Sequence, residues 1–236
     1  GKSIRYNEPV WNEMKPRMVK TTYLAVTAFL MMLCIAVPLG IVSALYEKKW
    51  LDYVIRFLSF VGAAFPGFWL GMLLLYWLGY KFKVISILST GRAEDVILPA
   101  LTLAFPLACR YIRIIRTQIL EELGQEYVMA ERCRGVSWVR ILLCHVMPNA
   151  FLTLVTALGM SFGNLFGGTA VIESIFNWQG VGYMAVNSVQ DRDYNMIQGY
   201  TLWIGVLYIG LNLIVDIFSM AVDPRRAGRL KSEEIE

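Results

Sequence analysis

Charge is scarce in this sequence: Asp, Glu, Lys and Arg make up 17% of its 236 residues, and long stretches contain none. With 57% of the chain drawn from Ala, Val, Ile, Leu, Met, Phe, Trp, Tyr and Cys, intrinsic disorder is excluded, because a disordered chain needs the opposite balance. A coiled coil is excluded on the same composition. The four cysteines, Cys34, Cys109, Cys133 and Cys144, have no spacing that suggests a disulfide or zinc framework, so they read as ordinary thiols. The phosphate loop GxxxxGK followed by Ser or Thr is missing, and no nucleotide is expected to be hydrolysed by the chain itself. The net charge of +4 is small and its basic residues hug the ends of apolar runs, so nucleic-acid binding is not needed to explain it. No secretory signal opens the chain and no Met stands before Gly1.

What is present is a set of charge-free runs. A helix needs roughly 20 apolar residues to cross about 30 Å of hydrocarbon. Thr21–Tyr46, Phe57–Tyr80, Ile141–Ile172 and Tyr194–Val215 are long enough, with 26, 24, 32 and 22 residues. Val96–Cys109 has only 14 but extends through Arg110, Arg113 and Arg116, whose stems can snorkel toward headgroups. The reading is all-α: a polytopic membrane helical bundle with five transmembrane helices, at roughly 21–46, 54–80, 96–118, 147–171 and 196–221. Residues 1–20 read as a connecting lead-in, 21–222 as the membrane domain and 223–236 as a tail. The start looks like a cut, so a sixth, N-terminal span is expected to precede Gly1. Pro38, Pro66 and Pro106 fall inside spans, where each removes a backbone donor and can kink the helix.

Orientation follows from the basic residues. If Leu120–His145 faces the cytoplasm, the inner set is Lys48, Lys49, Arg56, Arg110, Arg113, Arg116, Arg132, Arg134, Arg140, Arg225, Arg226, Arg229 and Lys231. These are 13 of the 22 Lys and Arg. Five of the other nine precede the first span, so the positive-inside preference supports this choice among the loops between spans. Residues 1–20 and a longer loop at 173–195, with Gly180 and Gly182 as turn points, are then outside.

The segment 120–147 is too long and too well built for a plain connection. Glu126–Arg134 has good helix formers, Gly135 can take the left-handed conformation that ends a helix, and Ser137 can cap a second helix through His145. Pro148 follows at the first turn of the next span. Within EYVMAERCRGVSWVRILLCHVMPNA, Gly135 and Pro148 are 13 apart and Ala130 is five before the glycine. This resembles the EAA loop of bacterial ABC importer permeases, specifically the dipeptide, oligopeptide and nickel family. GGTAVIESIFNWQGVG at 167–182, RDY at 192–194, NLIVD at 212–216 and DPR at 223–225 are similar to that family's other motifs in the same order, and Gly1–Val10 resembles its lead-in to the second span.

The resemblance implies an inner-membrane permease of type I architecture that pairs with a second permease, two cytoplasmic ATPases and an extracytoplasmic binding protein. ATP and magnesium would belong to the ATPases, with no cofactor in this chain. Carried over by position, Ala130, Gly135 and Pro148 shape a knob that docks into an ATPase cleft, and Glu126 and Arg134 are polar contacts to it. Glu131 and Cys133 depart from the small residues usual there. Short peptides are the expected cargo, with a nickel or other metal chelate as the alternative and an ion-gradient transporter as a more distant one.

The remaining candidates are weighed against blander roles. Gly159, Ser161 and Gly163 spell the hydrolase pattern GxSxG, but mid-span and 14 residues or more from His145, the one histidine. Gly159, Gly163 and Gly167 read instead as a smooth face for helix packing. Cys144 and His145 are adjacent soft or borderline ligands, yet two neighbours do not make a metal site. Asp216, one turn after Asn212, is either part of a gate or paired with Arg113 or Arg116, and pairing is the preferred expectation. Glu173 and Asp193 are placed in the outer loop, where contact with a binding protein or a cationic cargo group and simple solvation are equally open.

Overall fold

A computed structural model of the chain describes residues 1–82 and 93–222. The tail expected at 223–236, with four of the basic residues counted inside, lies outside the described residues. The described residues are helical throughout, apart from turns and one isolated bridge between Lys2 and Pro9.

Helix α1 spans Val10–Leu45, about 54 Å at 1.5 Å per residue. It begins directly after Pro9, eleven residues before the expected span, so only residues 1–9 form a non-helical lead-in. Pro16 and Pro38 are both carried inside it. Its buried positions, among them Ala25, Ala28, Met32, Ala36, Gly40 and Ala44, recur every three or four residues. They face Ala100, Ala104, Ala108 and Ile115 of α4, Ile97–Leu123. Small residues let the two backbones approach closely: a Cβ on Gly40 would lie 2.7 Å from Ile115 Cγ2.

The span expected at 54–80 is broken. Helix α2, Trp50–Ala64, and helix α3, Gly67–Leu74, which continues as a π-helical segment to Lys81, meet at 96°. Pro66 forces Phe65 out of the helical region, to φ −74° and ψ 129°. Pro106, by contrast, sits inside a continuous α4.

Beyond α4 come α5 (Glu126–Cys133), α6 (Trp138–Ile141), a π-helical stretch Leu142–Val146 and α7 (Met147–Ile175). The last three form one run of 38 residues, where separate elements were expected. The Pro148 ring excludes the usual i−4 carbonyl, that of Cys144, and the wider π turn makes room for it. Helix α8, Val181–Gln190, occupies the middle of the supposed outer loop, and α9, Tyr194–Val222, follows. Gly180 precedes α8 as a turn residue, but Gly182 is inside it, where a Cβ would lie 2.5 Å from Ala170 Cα.

Among the described residues, four helical runs are long and apolar enough to cross a membrane, and five if the bent pair α2–α3 counts as one. The bundle therefore has two distinct ends. One gathers residues 1–21 with 173–196; the other gathers the α1–α2 corner with the last turns of α4 and the 120–147 segment.

Candidate functional site

The 120–147 segment is a knob at one end of the bundle, and its shape follows from three backbone events. Helix α4 stops at Gly124, whose N–H donates to Leu120 and Glu121. Gln125 is extended, which turns the chain into α5. Helix α5 then ends in a Schellman motif: Gly135 N–H donates to the Arg132 carbonyl and Val136 N–H to that of Glu131, with Gly135 at φ +76°. The left-handed glycine expected at this position is there. Ser137 is extended before α6, as a cap residue should be, but its hydroxyl makes no capping bond.

Val128 anchors the knob, 1% exposed among Ile119, Ile141 and Val146. Across the turn, the Arg132 guanidinium lies 4.4 Å over the Trp138 ring, a contact worth about 0.5–1 kcal/mol at an exposed site. Glu126, Met129, Ala130, Arg134 and Val139 are exposed, as are Cys133 and Pro148. The knob thus offers a mixed apolar and charged surface on a rigid frame. At its root, Tyr127 Oη donates to Glu122 Oε2 at 2.8 Å, Asn149 Nδ2 reaches Tyr127 Oη at 3.5 Å, and His145 Nε2 lies 3.3 Å from Glu131 Oε2.

At the same end the structure reveals a residue that sequence reasoning missed. Asp52 is fully buried and receives Arg116 Nε at 2.7 Å, Arg116 Nη2 at 2.8 Å and Ser43 Oγ at 2.6 Å. The Lys48 N–H adds a fourth bond at 3.2 Å. This locks the α1–α2 corner onto α4, ten residues before α5. In the sequence Asp52 looks like an ordinary i, i+4 partner of Arg56, which in fact stands 4.0 Å away and half exposed. The expected pairing of Asp216 with Arg113 or Arg116 is therefore corrected. Arg116 belongs to Asp52, and Asp216 is exposed on α9.

The opposite end holds two buried carboxylates where solvated loop charges were one open expectation. Glu173, fully buried, lies in the last turn of α7 rather than in a loop. It accepts bonds from Thr21 Oγ1 at 2.7 Å and Tyr183 N–H at 2.8 Å, while the Val181 N–H donates to Thr21 Oγ1. It thereby serves the free donors at the start of α8. Asp193, 1% exposed, accepts from Ser3 Oγ at 2.5 Å, from Ile4 and Arg5 N–H, and from Met196 N–H. Burial pushes the Asp193 carboxyl up, but these bonds outweigh it and hold the group below the ordinary carboxylate value. Arg5 pairs with Asp191 beside it.

The glycines of α7 expected to form a smooth packing face differ in their surroundings. A Cβ on Gly159 would lie 2.4 Å from Val215 Cγ2 and one on Gly163 3.3 Å from Tyr208, so both admit α9 closely. Gly167 has nothing within 4 Å and takes no part in that contact. Ser161 lies mid-helix, bonded to Tyr111 Oη, which also donates to the Ala157 carbonyl at 2.6 Å. A hydrolase elbow requires a strand-turn-helix, and this serine has a helix on both sides.

With this geometry described, comparison with known proteins gives it a family. Residues 36–228 match the family described as "Binding-protein-dependent transport system inner membrane component". The chain is 34% identical to the probable D,D-dipeptide transport system permease protein DdpB of Escherichia coli K12, over 95% of this chain and 75% of that protein. It is 33% identical to the nickel import system permease protein NikB of Staphylococcus aureus USA300, over 100% and 70%. It is 34% identical to the glutathione transport system permease protein GsiC of Salmonella choleraesuis, over 95% and 73%. Among solved structures, a chain of the MetNI methionine ABC transporter in inward-facing conformations shares the fold, with a TM-score of 0.77 at 15% identity, covering 92% of this chain and 99% of that one. This chain belongs to the binding-protein-dependent inner membrane components, the non-catalytic, multi-pass permease subunits of ABC transporters that work with ATPase and binding-protein partners.

Proposed function

We propose that the chain forms, with a second homologous permease, the translocation pathway of an importer for short peptides, driven by two cytoplasmic ATPases that hold the ATP and magnesium. The knob at 120–147 is the coupling element: it faces the cytoplasm and docks into a cleft of one ATPase through Glu126, Ala130 and Arg134, with Gly135, Ser137 and Pro148 shaping it. The observation that carries this reading is the exposed, Schellman-closed helix α5, held on a rigid frame between two long spans. Its sidedness is supported by the clustering of Lys48, Lys49, Arg56, Arg116, Arg132, Arg134 and Arg140 at the knob's end of the bundle. Residues 1–20 and 173–195 are then extracytoplasmic, within reach of a binding protein.

Short peptides are favoured because two of the relatives named above are dipeptide and glutathione permeases. A nickel chelate is the second reading, since the nickel permease matches the whole length of this chain. A transporter driven by an ion gradient has less support: the buried carboxylates Asp52 and Glu173 are engaged by an arginine and by fixed donors rather than left to bind ions.

The test is co-purification in mild detergent. An ATPase subunit should accompany the wild-type chain, and Gly135→Pro should release it, because proline cannot take φ +76° and lacks the donor to Arg132. Undiminished association of that variant would sink the coupling assignment. Sidedness is checked separately on Cys133, which is exposed on α5: an impermeant thiol reagent applied to intact cells should leave it unlabelled. Binding of dipeptides against nickel chelates by the cognate receptor protein decides the cargo.

A further inference from the structure

Helix α5 is short and carries a single fully buried side chain, Val128. A motor that pushes on so small an element moves the spans only if its base is fixed to them. The structure places five polar side chains from four elements at that base. Glu122 comes from the last turn of α4, Tyr127 and Glu131 from α5, His145 from the π-helical stretch and Asn149 from the first turn of α7. Tyr127 Oη donates to Glu122 at 2.8 Å and receives Asn149 Nδ2 at 3.5 Å, so one hydroxyl spans α4, α5 and α7. Glu131 Oε2 is buried and receives no hydrogen bond among the described residues, and the His145 imidazole stands 3.3 Å away, close enough to complete one with a small rotation.

We propose that this cluster is the transmission joint of the knob, with Tyr127 and His145 as its positioning residues: they pass a displacement of α5 to α4 and α7 without contributing to ATPase docking. The proposal rests on the coupling role proposed above. Three observations separate joint from docking face. The cluster lies on the side of α5 turned to the bundle, whereas Ala130 and Arg134 are exposed. Its partners belong to the two spans that continue on either side of the knob. The π turn that carries His145 closes its hydrogen bonds over one residue more than an α-helix, so it is the place where α6 and α7 can change register. An element with two arrangements is what coupling requires.

The experiment uses the assembled transporter in lipid nanodiscs, with its native cysteines replaced and spin labels placed at exposed Leu58 on α2 and Val171 on α7. ATP with vanadate should shift the distance between the labels in the otherwise wild-type complex. Tyr127→Phe keeps the ring and removes only the hydroxyl; it should lower the shifted fraction by more than half while ATPase subunits remain bound and hydrolyse ATP. His145→Gln should act likewise, and His145→Arg, which keeps N–H donors opposite Glu131, should restore the response. A full shift in Tyr127→Phe and His145→Gln overturns the joint. Loss of the ATPases from these variants also overturns it, by making them docking residues. A wild-type chain that retains no ATPase defeats the coupling reading itself, and the joint with it.

Discussion

Gly135 adopts φ +76° in open space, with nothing within 4 Å of a built Cβ. A substitution there is therefore penalised by backbone conformation alone. Gly135→Ala should cost about 1–2 kcal/mol, the left-handed penalty for an L residue, and loosen the end of α5. Gly124, at φ −82°, should accept alanine nearly without cost. Thermal unfolding of the two variants in detergent makes the comparison. Asp52 offers a second contrast. Its removal leaves Arg116 partly buried without a counter-ion, and Asp52→Ala should lose about 3–5 kcal/mol. Arg56→Ala should lose under about 1 kcal/mol, as exposed ion pairs do. Equal losses from the two would contradict the assignment of Arg116 as the true partner.

Helix α7 faces α9 on one side and open space on another, and the boundary runs between glycines four residues apart. Gly159→Leu drives a side chain into Val215, and overpacking of this kind costs about 1–3 kcal/mol. At Gly167 an added Cβ has no atom of the described residues within 4 Å, so the same change has room to enter. Heat stability of the purified chain should fall for the first and hold for the second. Further along, α9 leaves Leu202, Val206, Ile209 and Ile214 between 64 and 72% exposed, as a lipid-facing or partner-facing helix does. Pro66 separates α2 from α3 because proline excludes the helical conformation of the residue before it, and the same residue type at 38 and 106 is accommodated where neighbouring helices support the backbone.

The end of the molecule that gathers residues 1–21 with 173–196 is closed by polar clasps that join residues distant in sequence. Ser3 meets Asp193 across 190 positions and Thr21 meets Glu173 across 152. The Asp193 clasp is pH-dependent. Because its folded pKa lies below the ordinary 3.8, its contribution is complete above that value and is lost as pH falls through the lower folded one. Protection of the Ile4 and Arg5 amides, taken relative to their intrinsic exchange rates, should therefore be high near neutrality and fall in acid. Asp193→Asn should show low protection at every pH. Protection that is independent of pH in the wild type would contradict the clasp.

How much of this was legible in the sequence depends on the range of the interactions involved. Apolar runs of bilayer length, the glycine that ends α5 and the ordered motifs of the family are local patterns, each set by a few neighbouring residues, and they determined the helical membrane class, the knob and the lineage. The partner of Asp52, the burial of Glu173 and Asp193, and the unequal roles of Gly159 and Gly167 were decided only by tertiary structure. Each depends on which helices lie side by side, and a charge in the sequence carries no mark of the distant group that neutralises it. The extent of α1, the break at Pro66 and the joining of α6 to α7 fall between these cases: proline and length made them thinkable, and the packing of neighbouring spans determined whether each backbone bent, broke or ran on.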